Sequence, residues 1–184
     1  NRQDGECGSR LACGAGCGNC TCEDADAGST CGAVLRVGYA ACASDMGEGS
    51  GDACEANLEC NTLNSVAGEV SVTCAAPLWG RYAQLVLPGV SRVLSLREVR
   101  AFGFPADTVA TQELRRAAAS LSTYFTPAFK CIDGSAGSDA EICHGISEAS
   151  PWLQIDFGSI VVVNSVRIIN FEGSVSAASI ANCN

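Results

Sequence analysis

The chain has 184 residues, a formal net charge of −9 and 13 cysteines, ten of which lie between positions 7 and 74. Reducing compartments do not let structural disulfides persist, so this cysteine content indicates an extracellular protein. The acidic balance disfavours nucleic acid as a partner, and apolar runs such as residues 160–163 are far too short to span a membrane. Because 13 is odd, at least one thiol has no partner within these residues.

The N-terminal part combines many cysteines with little apolar bulk. Residues 7–31 are rich in Gly, Ala and Cys, so disulfides rather than a core must supply their order. One N-glycosylation sequon, Asn19-Cys20-Thr21, falls within them. Short β-like pieces follow at 33–37 and 69–73. We therefore predict a disulfide-rich, loop-dominated N-terminal segment.

The remainder of the chain has the pattern of an all-β protein. Residues 82–87 and 93–102 alternate apolar and polar side chains on either side of the turn Pro88-Gly89, which predicts a hairpin. Residues 152–157 and 160–169 are two further predicted strands, rich in β-branched side chains and separated by a Gly-Ser pair.

One segment has a conflicting pattern. Residues 107–121 have helical propensity, which allows a short helix around residues 113–119. We expect residues 121–125 to be non-helical, because propensity is a weak prior that strand pairing overrides.

Several stretches of this β region carry a family resemblance. Residues 80–89 (GRYAQLVLPG) and 94–103 (LSLREVRAFG) resemble the closing hairpin of the fucolectin, or F-type lectin, branch of the discoidin-like sandwiches. Residues 130–134 (KCIDG), 151–158 (PWLQIDFG) and 166–170 (VRIIN) resemble the opening half of such a domain. The resemblance implies an all-β, discoidin-like jelly-roll β-sandwich.

The order of these parts is rotated relative to the family. Residues 1–104 resemble the latter part of one fucolectin-like domain, with a Cys-rich insertion at about 12–31. Residues 105–184 resemble the opening half of a second, or circularly permuted, domain. Each missing half comes either from this chain or from a neighbouring copy, because a half-sandwich leaves strand edges unpaired. We favour the tandem or exchanged arrangement, because residues 171–184 resemble the beginning of a next repeat.

The resemblance implies a sugar site made of Arg2, Asp4, Arg10 and His144. The rigid fork of an arginine can satisfy neighbouring sugar oxygens, and the aspartate would hold the two arginines. The spacing from Asp4 to Arg10 is one residue longer than in the family, and His144 directly follows Cys143 instead of lying two residues beyond it. Solvated arginines on an acidic loop and a structural histidine beside a disulfide are the alternatives.

The resemblance also implies a calcium site. Asp133 and Glu98 would supply carboxylates, and Lys130 and Ser135 would supply carbonyl oxygens, a ligand set that suits a hard cation. The family's serine before the second cysteine is Ile142 here. The alternative is a turn in which the Asp133 side chain bonds nearby backbone.

Disulfide partners follow from departures from the family. Its closing-strand cysteine is replaced by Arg97, and Cys131 stands where the family has alanine, so we predict a Cys131–Cys143 bridge with Cys183 as the odd thiol. The family's other disulfide loop predicts that Cys74 bonds one of three upstream residues: Cys42, Cys54 or Cys60.

The core is predicted from the alternating positions of the two matched regions. Its members are Tyr82, Leu85, Leu87, Leu94, Leu96, Val99, Trp152, Leu153, Ile155, Phe157, Val166 and Ile168.

The leading functional interpretation is a non-catalytic, extracellular module of a larger repeat glycoprotein that binds carbohydrate, a fucose-like sugar by the resemblance, with calcium. The alternative is a structural or assembly module of an extracellular filament or matrix in which the sugar site has decayed and neighbouring copies are the partners. We do not expect an enzyme, because no nucleophile, base and oxyanion donors can be assigned together.

Overall fold

The computed structural model describes residues 30, 32–42, 54–64, 68–136 and 142–171. Its strands, in chain order, are β1 Val34–Gly38, β2 Leu58–Thr62, β3 Glu69–Val86, β4 Ser95–Pro105, β5 Gln112–Glu113, β6 Ala118–Leu121, β7 Cys143–His144 and β8 Trp152–Asn170. A 3-10 helix lies at Ala128–Cys131. No helix within these ranges is long and apolar enough to cross a membrane. The predicted all-β fold is confirmed.

The strands form one antiparallel sheet in the order β2-β1-β3-β8-β4-β5, with β6 paired to β8 and β7 to β4. The two long strands divide this sheet into two layers. The first layer contains β1, β2, β6, residues 82–86 of β3 and residues 152–156 of β8. The second contains β4, β5, β7, residues 69–80 of β3 and residues 161–170 of β8. Gly158, with φ of +76°, lies between the two parts of β8.

The layers face each other across one apolar core. Leu35, Leu85 and Ile155 of the first layer and Val99 and Ile168 of the second line a cavity of about 10 Å³. This cavity has only apolar side chains around it and cannot supply the polar partners that a buried water needs. The two layers of the predicted sandwich are therefore halves of one sheet that folds back on itself.

The predicted core is largely confirmed, and ten of its twelve members belong to this cluster. Trp152 instead packs with Cys42, Cys54 and Val86, because successive side chains of a strand point to opposite faces and Leu153 takes the inner one. Tyr82 is only partly buried.

The predicted hairpin of residues 82–102 is wrong. Strand β8 lies between β3 and β4 and pairs with both. The two strands predicted at 152–157 and 160–169 are one strand, which keeps β3 as a neighbour on both sides of the Gly-Ser pair but exchanges β6 for β4 there. Alternation fixes which face a side chain takes, but it does not identify the neighbouring strand.

The short helix allowed at residues 113–119 is absent, and strands β5 and β6 take its place. The backbone N–H of Leu114 donates to Ala101, and that of Ala117 donates to Asp156. These long-range bonds outweigh the local propensity. Residues 121–125 are non-helical, as predicted.

Disulfides join Cys42 to Cys54, Cys60 to Cys74, and Cys131 to Cys143. The Cys131–Cys143 prediction is confirmed, and Cys60 is the partner of Cys74. Three such bridges are typical of a protein from an oxidising, extracellular compartment. Cys183, the sequon and the insertion at 12–31 lie outside the described residues, apart from Thr30.

The sheet is completed within one chain. Strands β7 and β8, from the second stretch, pair with β3 and β4 of the first stretch, and β6 pairs with β8. The backbone N–H of Gly134 also donates to Glu98 Oε2 at 3.2 Å, which places the Glu98 carboxylate at the turn that follows Asp133. The described strands therefore find their partners within one chain, and exchange between neighbouring copies stays a prediction. The assignment of the two stretches to fucolectin-like domains stays a prediction.

Candidate functional site

The residues predicted to bind sugar fall into two groups. Arg2, Asp4 and Arg10 lie outside the described residues. His144 is described, and it lies in the short strand β7, paired with Ser95 of β4.

The His144 ring is held in a defined orientation. Ser95 Oγ lies 2.5 Å from His144 Nδ1, and Ser95 itself is buried. The ring of Phe125 meets the imidazole edge-on, with centroids 6.0 Å apart and an interplanar angle of 85°. Because Ser95 occupies Nδ1, Nε2 is the ring nitrogen left to donate to or accept from a ligand.

Phe125 is the apolar side chain that meets this imidazole, and other exposed apolar residues lie near both in the sequence. Phe125 is 76% exposed, and its chain neighbour Tyr124 is also exposed. Phe129, in the 3-10 helix, and Ile146, two residues beyond His144, are exposed as well. We call Phe125 and His144 the ring pair. Aromatic rings at a surface offer flat apolar area at a small entropic cost.

The loop that carries Phe125 is anchored at several points. Glu148 Oε1 accepts hydrogen bonds from Ser122 Oγ at 2.5 Å and from Thr123 Oγ1 at 2.6 Å. The backbone N–H groups of Phe125 and Thr126 both donate to the carbonyl of His144, at 2.7 and 3.1 Å. The ring pair is thus joined through backbone as well as through the ring contact, which favours a preorganised surface.

The sequence indicated His144 but not Phe125, Ser95 or Glu148. Ser95 lies 49 positions from His144, so their contact depends on pairing that no local pattern encodes. The one local signal for the ring pair is that Phe125 directly follows another aromatic residue, Tyr124.

The predicted calcium residues are partly brought together. Glu98 is completely buried, and it lies beside the 133–135 turn. Asp133 Oδ1 accepts a hydrogen bond from the backbone N–H of Ser135 at 2.8 Å, which is the turn given as the alternative. Lys130 lies in the last turn of the 3-10 helix. Within the described ranges, no group of three or more His, Cys, Asp or Glu side chains is placed to hold a metal ion. Calcium binding stays a prediction.

An arginine that the sequence analysis missed contacts Glu98. Arg116 Nη1 lies 2.5 Å from Glu98 Oε1, and Arg100 Nε lies 3.6 Å from the same oxygen. Burial raises the pKa of Glu98, while Arg116, the Gly134 N–H and Arg100 oppose that rise by favouring the charged form.

An exposed ion pair links β3 to β8 elsewhere on the sheet. Arg81 Nε donates to Asp156 Oδ1 at 2.8 Å, and Nη2 donates to Oδ2 at 2.7 Å. These bonds lower the pKa of Asp156, whose Oδ1 also accepts the backbone N–H of Gly158. The bidentate geometry fixes the register of the two strands at their bend.

A second exposed apolar area lies at the same bend. Trp79 is 50% exposed, and Ile160 is partly exposed. Trp79 pairs with Val162, which pairs on its other side with Phe104, so the three side chains share one face. Val162 is buried and Trp79 is half exposed, so Trp79 is the exposed member of this row.

Comparisons with protein-family models, with curated proteins and with solved structures find no match to this chain.

Proposed function

We propose that the protein is a non-catalytic, carbohydrate-binding module of an extracellular glycoprotein, with the ring pair as part of its binding surface. One observation carries the proposal: an imidazole fixed by a buried hydroxyl lies against a largely exposed phenyl ring. A sugar presents apolar C–H groups beside hydroxyl groups. Phe125 is suited to the former, and Nε2 of His144 is suited to the latter.

The proposed ligand is a fucose-like sugar, in keeping with the sequence resemblance. Its methyl group would add apolar contact with Phe125, and its hydroxyls would bond His144. Arg2 and Arg10, held by Asp4, would supply the further donors that the resemblance implies.

Glycan-array screening tests the proposal directly. The variants His144→Ala and Phe125→Ala should each weaken binding of the best glycan by about tenfold or more, as loss of one good contact predicts. Leu58→Ala is the matched control, because Leu58 is a 67% exposed apolar residue on strand β2. The proposal fails if no glycan binds, or if both ring-pair variants bind the best glycan as tightly as the control.

A second candidate function is structural: a module that assembles with other protein chains. The exposed Trp79 favours it, because tryptophan is enriched among the residues that contribute most to binding between proteins. Sedimentation velocity over a concentration series, on the unaltered protein and on Trp79→Ser, tests it. Concentration-dependent assembly that Trp79→Ser abolishes, together with an array that binds nothing, would favour this function over the first.

A further inference from the structure

The carboxylate of Glu98 has no exposure to solvent, and it lies on strand β4 beside the 133–135 turn. A buried anion is costly unless a counter-charge and hydrogen bonds compensate for lost hydration. The identity of that counter-charge decides whether the chain needs a bound cation here.

Arg116 reaches three oxygen atoms around Glu98. Its Nη1 lies 2.5 Å from Glu98 Oε1 and donates to the carbonyl of Val99 at 2.6 Å, while its Nη2 lies 3.1 Å from Glu113 Oε1. Two carboxylates and a carbonyl are the kind of oxygen donors that a hard cation gathers. The guanidinium itself is only slightly exposed.

The other side of Glu98 is closed by the turn. Oε2 accepts the N–H of Gly134, and Arg100 Nη2 donates to the carbonyl of the same residue at 3.1 Å. Glu98 and Arg100 therefore clamp Gly134 through both its N–H and its C=O. With Arg100 Nε also 3.6 Å from Glu98 Oε1, two guanidinium groups approach one carboxylate oxygen.

We propose that Arg116 is the resident cation of this site and replaces the calcium ion that the sequence resemblance implies. Two guanidinium charges within hydrogen-bonding or ion-pair reach of Glu98 repel a further divalent ion, and they already neutralise the buried carboxylate. The turn is held against β4 by protein groups, so its position does not depend on calcium. The proposal is independent of whether the ring pair binds a sugar.

Thermal unfolding in EDTA and in millimolar CaCl₂ tests the proposal on the unaltered protein. We expect the same Tm in both solutions. A calcium site filled at a hundred times its Kd would raise the Tm by roughly 5–10 °C in a chain of this size, and such a rise would overturn the proposal.

Variants identify the residue responsible. Arg116→Gln removes the guanidinium and should lower the Tm by several degrees in EDTA. Arg116→Lys keeps a positive charge, so it should lower the Tm by less. In a Glu98→Gln background the buried charge is gone, so Arg116→Gln should cost much less than in the unaltered protein. Equal losses in both backgrounds would show that Arg116 stabilises the fold without neutralising Glu98. If Arg116→Gln does not fold, the Tm of the unaltered protein in the two solutions still decides the proposal.

Discussion

Replacing Leu153 with alanine tests whether the two stretches of the chain share one core. Leu153 is 1% exposed and lies in β8 between Leu85 of β3 and Leu121 of β6. It also borders the small internal cavity together with side chains from both layers. The side chain therefore touches partners from residues that the sequence had assigned to two different domains.

The cost of Leu153→Ala can be estimated from this position. Removing the buried methylene and methyl groups loses about 0.8 kcal/mol for each CH₂ equivalent, and the space left behind adds a cavity term. Strand β8 is paired on both sides here, so it cannot move to fill that space. We expect a loss of about 3–5 kcal/mol in the free energy of unfolding, in the range measured for poorly collapsing Leu→Ala sites.

Urea unfolding followed by tryptophan fluorescence, under non-reducing conditions, measures this loss. The matched control is Leu58→Ala, which removes an exposed leucine and should change the free energy of unfolding by less than about 0.5 kcal/mol. A loss below about 1.5 kcal/mol for Leu153→Ala, with an unchanged denaturant slope, would refute the shared core.

Three further predictions concern individual bonds and contacts. Arg81 lowers the pKa of Asp156 in the folded state, so this pair stabilises the fold above the unfolded pKa of roughly 4, and the contribution is lost as the pH falls through the folded pKa. Tm measured from neutral to acidic pH should therefore fall less steeply for Asp156→Asn, and an equal slope in both proteins would contradict this. Replacing both Cys60 and Cys74 with serine removes a bridge between residues 14 positions apart, and should lower the free energy of unfolding by about 3 kcal/mol in a urea titration. A loss under about 1 kcal/mol would show that the bridge constrains the unfolded chain little. Gly103→Ala should cost about 1–3 kcal/mol in the same assay, because the added Cβ would overlap the carbonyl oxygen of the paired strand, and a neutral result would mean that β4 does not approach β8 this closely.

The sequence predicted strand positions and buried faces well, because these depend on side-chain alternation. Leu153 and Ile155 point inward as their pattern requires, and the Cys131–Cys143 bridge followed from two local departures from one family. Strand neighbours were predicted poorly. Nothing in residues 82–102 indicates that a segment some 60 positions away inserts between their two strands.

The candidate site was predicted only in part for the same physical reason. His144 and Glu98 were found by type and by resemblance, but the groups that define their chemistry come from distant segments. Local propensity predicts Arg116 in a helix, but backbone hydrogen bonds to β4 and β8 hold its segment in an extended conformation. An ion pair between separate segments cannot be identified from the local spacing of residues, because it depends on how the fold brings those segments together.

The central place of β8 has a consequence for biosynthesis. Strands β3 and β4 leave the ribosome well before β8, yet each takes β8 as its neighbour and neither pairs with the other. During that interval β3 can pair with β1, and β4 can pair with β5 and β7, but the edge that each will offer to β8 stays open to mispairing. The Cys42–Cys54 and Cys60–Cys74 loops, closed over separations of 12 and 14 residues, need no such partner and can be oxidised while elongation continues. Covalent closure can thus precede completion of the sheet, which needs β8, the last of these strands to be translated.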